Sequence, residues 1–144
     1  MKIYLAGPSA ELARVREAAA LIEGAGHELT ERWWEKVDDT GTCASDVDHN
    51  EDELYLAAKD NDDGIFSADG VIALCKTVGG ISPGTAHEVG YAQGLGMPVA
   101  IVGDPKGHLA ARGAWGEGCT KPIRAADVET AVRGLDRHLY EASL

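Results

Sequence analysis

The chain has 144 residues, of which 44% are hydrophobic and 26% charged; this suits one globular domain over residues 1–144 and excludes a collagenous, coiled-coil or wholly disordered chain. Thirteen Lys and Arg against 24 Asp and Glu give a net charge of -11, the wrong sign for covering a phosphate backbone over a wide surface. Broad nucleic-acid binding is therefore not expected, whereas one small anion held by a few N–H groups and hydroxyls is compatible with that charge.

Ile3 to Ala6 is an apolar run too short for a signal segment or a membrane span and reads as a first strand, followed by the tight turn Gly7-Pro8-Ser9. Leu12, Val15, Ala19 and Ile22 then recur at helical spacing until Gly24 and Gly26. His27 to Thr30 is a short second strand. Residues 35–63 carry eleven acids and two bases and read as a solvated excursion, with a helix toward the end around Leu54, Ala57 and Ala58. Gly70 to Cys75 is a continuous apolar run of the kind a strand covered on both faces needs. Ser82 and Pro83 sit where a helix favours a hydroxyl cap and a first-turn proline, and that helix ends near Gly94-Leu95-Gly96. Pro98 to Gly103 is another strand, Pro122-Ile123 a short last one, and Asp127 caps a helix bearing Val128, Ala131, Val132, Leu135 and Leu139 on one face.

Strands alternating with helices imply a doubly wound parallel sheet of 4–5 strands with helices on both faces, a flavodoxin-like (Rossmann-like) α/β fold of strand order 2-1-3-4-5. Ligands of such sheets bind beyond the carboxyl ends of the strands where the winding reverses, which brings Gly7-Pro8-Ser9 and the segment from Gly79 to Glu88 together. In that segment the glycines allow close backbone approach, and Ser82 with the first-turn N–H groups forms a small anion site. Glu88 lies on the second turn, at the rim of the crevice; the competing reading is a plain strand-to-helix connection with a surface glutamate. Tyr4, one step from the crevice, is either a phenol that orients a nearby carboxylate or amphipathic core. Ser9 is either a phosphate-binding hydroxyl or the cap of the first helix. Trp33, Trp34 and Trp115 are core or interface aromatics, with a base pocket as the other reading.

Several chemistries are excluded by spacing. Asp46, Asp48, Asn50 and Asp52 alternate like calcium ligands, but Glu51 and Ala57 occupy the positions where an EF-hand needs glycine and glutamate. The five histidines show neither HxxxH nor HExxH spacing, and neither GxSxG nor GxxxxGK[ST] occurs. Cys43, Cys75 and Cys119 form no CxxC pair and read as reduced thiols of a cytoplasmic protein.

Lys2-Ile3-Tyr4-Leu5-Ala6-Gly7-Pro8, Gly64 to Ala73 with its Ala68-Asp69 pair, and Pro83-Gly84-Thr85-Ala86-His87-Glu88-Val89-Gly90-Tyr91-Ala92 stand in one order over residues 1–103. In this the chain resembles the nucleoside 2-deoxyribosyltransferase family and its nucleotide N-glycosidase relatives. The resemblance implies cleavage of an N-glycosidic bond with Glu88 as nucleophile, Tyr4 orienting it, net retention, and no metal or organic cofactor. It further implies that Gly7, Pro8, Ser9, Ser82, Gly84 and Thr85 border a small nucleoside or nucleotide, and that the protein is a homo-oligomer. Two positions depart from the family pattern. Where the family has a catalytic aspartate that handles the base, this chain has Asn61, flanked by Asp60 and Asp62 as further substrate-binding candidates; an amide cannot protonate a leaving group, so either a neighbouring aspartate substitutes through a shifted register, or another group or water protonates the base, or activity is low. Where transferases of free nucleosides often carry aspartate, this chain has Ser82, as related 5′-monophosphate hydrolases do. Ser82 and Ser9 favour a nucleotide and hydrolysis over base exchange. The alternatives are a nucleotide-binding or sensing module that kept the pocket and lost turnover, and a flavodoxin-like binder of another phosphorylated ligand.

Overall fold

A computed structural model describes residues 1–37, 51–107 and 121–144. Its elements are β1 (Lys2–Ala6), α1 (Leu12–Gly24), β2 (Glu28–Leu29), α2 (Glu51–Phe66), β3 (Gly70–Leu74), α3 (Pro83–Gly94), β4 (Val99–Val102), β5 (Ile123–Ala125) and α4 (Val128–Ser143). Short 3-10 turns occupy Ser9–Glu11 and Trp33–Glu35. All strand pairs are parallel and the order is β2-β1-β3-β4-β5, the flavodoxin-like winding expected.

Because side chains alternate along a strand, each strand feeds two cores. Ile3, Leu5, Ile72, Leu74, Ala100 and Val102 face one side, where α1 and α4 cover them. Tyr4, Ala6, Val71, Ala73, Val99 and Ile101 face the other, against Ile65 of α2 and Val89 and Ala92 of α3. β3 is buried along its whole length, which is why its sequence is continuously apolar rather than alternating. Register places Tyr4 beside Val71, and Val71 beside Val99, so Tyr4 points toward the α2 and α3 side from mid-sheet.

Helix starts follow local chemistry. Asp127 caps α4 by accepting from the Thr130 N–H at 2.7 Å, and Ser82 caps α3 with Pro83 in the first turn. Ser9 does not cap α1: it opens the preceding 3-10 turn, and α1 begins after Glu11 without a side-chain cap. The phase of α2 also differs from expectation. Ala58 is exposed, and Gly64 and Ile65 are the residues turned inward. A Cβ on Gly64 would stand 2.8 Å from Glu31 Cβ and 3.2 Å from the Tyr4 ring, so the missing side chain is what lets α2 close onto β1. The Thr30 hydroxyl fixes that approach by donating to the Gly64 carbonyl at 2.7 Å.

The calcium-like residues Asp46, Asp48 and Asn50, together with Cys43, His49, Trp115, Cys119 and the rest of residues 108–120, lie outside the described residues. Among the described helices none is long and apolar enough to cross a membrane.

Candidate active site

Glu88 and Tyr4 come together across the α3–β1 contact. Tyr4 is fully buried, and its hydroxyl makes no bond of full hydrogen-bond geometry. It nevertheless faces Glu88 closely enough that each alters the other's ionisation. Burial, then the charge of Glu88, drives the Tyr4 phenol far above its ordinary range, so it stays a neutral donor. Burial also pushes Glu88 up to about 7, with the Asp62 charge adding to the rise and Tyr4 opposing it. A carboxyl titrating there changes protonation state near neutral pH, and hydrogen bonds at such sites often tighten only once substrate is bound.

The residues flanking Asn61 part company. Asp60 is exposed and pairs with Lys36 Nζ at 3.2 Å, the same ammonium that meets Glu31 at 3.0 Å. Those two carboxylates hold the Lys36 ammonium above its usual range, Glu31 more strongly. Asp62 instead reaches across to α3, with Oδ1 3.6 Å from His87 Nε2. Asn61 itself is half-buried on α2. Glu31, which no motif singled out, sits close enough to add its charge to the field on Tyr4.

At the head of α3, the Ser82 hydroxyl donates to Thr85 Oγ1 at 2.8 Å and accepts from the Thr85 N–H at 3.4 Å. Thr85 is buried and its hydroxyl is thus occupied by the cap. Proline at 83 has no N–H, which leaves the Gly84 N–H as the first-turn donor available to a ligand. A Cβ on Gly84 would meet nothing within 4 Å, whereas one on Gly7 would come within 3.3 Å of Val15 and 3.4 Å of Leu74. Gly7 therefore serves the packing of α1 on β3. Pro8 beside it is buried and Ser9 half-buried.

The loop from β3 to α3 is pinned from both sides. Arg14 Nη1 donates to Glu11 at 2.6 Å and to the Cys75 carbonyl at 3.0 Å, and Glu11 accepts from the Thr77 N–H at 3.1 Å. Lys106 Nζ donates to the Val78 carbonyl at 2.9 Å. Gly79 has φ +85, and a Cβ there would collide with the Lys106 side chain. A cavity of about 540 Å³ opens beside this loop, lined by Arg14, Lys76, Gly79, Gly103 and Lys106. These cations had no motif to announce them. A second cavity, about 570 Å³, lies between the end of α1 and the start of α4 near Leu21, His27 and Val132, and no candidate site residue lines it.

Trp33 and Trp34 are structural. Trp34 is buried in the α1 core, and the Trp33 indole donates to the Leu5 carbonyl at 2.7 Å. Among the described residues no group of three or more His, Cys, Asp or Glu is placed to hold a metal ion.

A doubly wound sheet with a half-buried carboxylate facing a buried phenol characterises this α/β protein. The chain belongs to the nucleoside 2-deoxyribosyltransferase family, whose model matches residues 3–133. Membership points to a glycosyl-transferring or hydrolysing enzyme with small nucleoside or nucleotide substrates. Two solved structures share the fold. A CMP N-glycosidase from Clostridium botulinum is 20% identical with a TM-score of 0.55, the match covering 95% of this chain and 99% of that one. A 2-deoxyribosyltransferase from Bacillus psychrosaccharolyticus is 21% identical with a TM-score of 0.64, covering 90% of this chain and 88% of that one. At such identities the likeness is one of fold. No curated protein matches the chain.

Proposed function

We propose that this protein cleaves the N-glycosidic bond of a nucleoside 5′-monophosphate by double displacement, with Glu88 as nucleophile. The observation that carries the reading is the half-buried Glu88 facing the buried Tyr4 phenol, which yields a carboxylate poised near neutrality. Its oxygen attacks C1′ as the C1′–N bond breaks and the bond's electron pair leaves with the base. The same charge offsets the oxocarbenium character of the transition state. Water then attacks C1′ of the glycosyl ester, and the electron pair of the ester C1′–O bond returns to Glu88, with net retention. Tyr4 donates toward the carboxylate and keeps it ionised. Family membership favours an enzyme over a sensing module.

A phosphorylated substrate is supported by Ser82 at the head of α3, where a carboxylate would repel phosphate. Ser82→Asp isolates this contribution, because aspartate is an equally good cap and α3 keeps its start. The variant is expected to raise KM for a 5′-monophosphate about tenfold or more through like-charge repulsion. KM for the parent nucleoside should stay near wild type; equal KM changes for both would remove the phosphate from this position.

The direct assay separates products chromatographically after incubation with each common deoxynucleoside and 5′-monophosphate, with and without a second free base. Free base released from a monophosphate alone is the expected result. New nucleoside formed only when acceptor base is present would instead make the enzyme a transferase. Absence of turnover in folded protein would return the sensing module.

A further inference from the structure

We propose that His87, steadied by Asp62, is the acid–base group that protonates the departing base and later activates water. The inference rests on the assignment of Glu88 as nucleophile and supplies the proton that Asn61 cannot. Of the two aspartates flanking Asn61, Asp60 is committed to Lys36 at 3.2 Å. Asp62 turns toward α3 and places Oδ1 3.6 Å from His87 Nε2. The same carboxylate acts electrostatically on both Glu88 and Tyr4, so it stands at the site and not on a remote surface. His87 precedes Glu88 on α3, so the imidazole and the nucleophile spring from one helical turn. Its side chain is 69% exposed and that of Asp62 38%, so the imidazole is open to proton exchange with water. The neighbouring Asp63 of α2 is paired with Lys59 at 2.7 Å and does not compete for it.

The proton and electron balance closes without another reagent. His87 enters as imidazolium, with Nε2–H directed at Asp62 and Nδ1–H toward the base. As Glu88 bonds to C1′, the C1′–N electron pair passes to the base. The Nδ1 proton moves to a ring nitrogen or exocyclic oxygen of that base, leaving neutral imidazole whose Nε2–H remains on Asp62. Water then attacks C1′ and gives its proton to Nδ1, and Glu88 departs as carboxylate. Asp62 touches no reacting atom and is a positioning residue.

A leaving-group series tests the proposal separately from the nucleophile. Once the product assay has given the accepted base, kcat is measured on that 5′-monophosphate and on an analogue whose base leaves without needing a proton. For purines this analogue is the 7-methylguanine nucleotide, and for pyrimidines the 5-fluoro and 5-bromo nucleotides form a graded set. His87→Gln should lower kcat about 10²-fold on the ordinary base, the size typical of a lost general acid. It should leave the activated substrate nearly unchanged. Asp62→Asn should show the same split at about a tenth of that loss. Equal losses on both kinds of substrate, or no loss, would overturn the role of His87 while leaving Glu88 in place. If Glu88→Gln keeps wild-type turnover on the activated substrate, or wild type releases base from neither, the Glu88 reading fails and His87 falls with it. The exposed position of His87 makes misfolding an unsuitable explanation, and unchanged thermal melting of His87→Gln verifies this.

Discussion

Glu88→Gln is expected to reduce kcat by about 10⁴-fold or more, as removal of a covalent nucleophile does, and to make the protein more stable above pH 7. The two effects share one cause. Burial raises the Glu88 carboxyl from 4.5 to about 7 in the folded chain. Both states are protonated below the unfolded value, so the group costs nothing there. As pH rises from 4.5 through about 7, the unfolded chain releases its proton first and folding stability falls. Glutamine cannot ionise, so the variant should lack this decline and exceed wild type at pH 8 by on the order of 2 kcal/mol. Denaturant midpoints measured from pH 4 to pH 8 read the difference directly. Parallel stability curves for the two proteins would mean that the carboxylate is not confined as described.

Tyr4→Phe is expected to preserve the fold and shift the pH dependence. The ring is wedged against Gly64 and phenylalanine fills the same space, while the buried hydroxyl it removes has no bond of full geometry to lose. The hydroxyl is the one influence that favours Glu88 ionisation against burial and Asp62. Without it the carboxyl titrates higher still. Because only ionised Glu88 attacks, kcat/KM falls as pH drops through about 7 in wild type, and that acid limb should move upward in the variant. For a shift of one pH unit the loss should be about fivefold at neutral pH, approaching about tenfold well below it. A pH profile of kcat/KM for both proteins decides the matter, and a limb left in place would exclude Tyr4 as the group that keeps Glu88 charged.

What the sequence reveals depends on how local the determining forces are. β1, β3 and β4 announce themselves as apolar runs because both faces of each are covered. Ser82 and Asp127 mark helix starts because capping is a contact over three residues. Strand order follows from alternation and handedness. The phase of α2 was hidden, since Gly64 reads as a breaker in a helical pattern, whereas its role is to admit Tyr4 and Glu31 at close range. The opposite is true of Glu88 and Tyr4: their motifs stand on elements that the topology alone brings face to face. The fates of Asp60 and Asp62 depend on how α2 lies against α3 and against the Trp33–Glu35 turn. Successive residues on a helix point about 100° apart, so aspartates two positions apart diverge, and only the assembled layers show which one meets His87 and which meets Lys36.

Covalent trapping examines the nucleophile most directly. The protein is incubated with a nucleotide bearing fluorine at the 2′ position, which slows both steps by destabilising the oxocarbenium-like transition states, and intact and peptide masses are then recorded. A single addition of the fluorinated sugar phosphate, carried by the peptide containing Glu88 and absent from Glu88→Gln, is the predicted result. Release of base with no covalent adduct, or an adduct on any other residue, would contradict the assignment of Glu88.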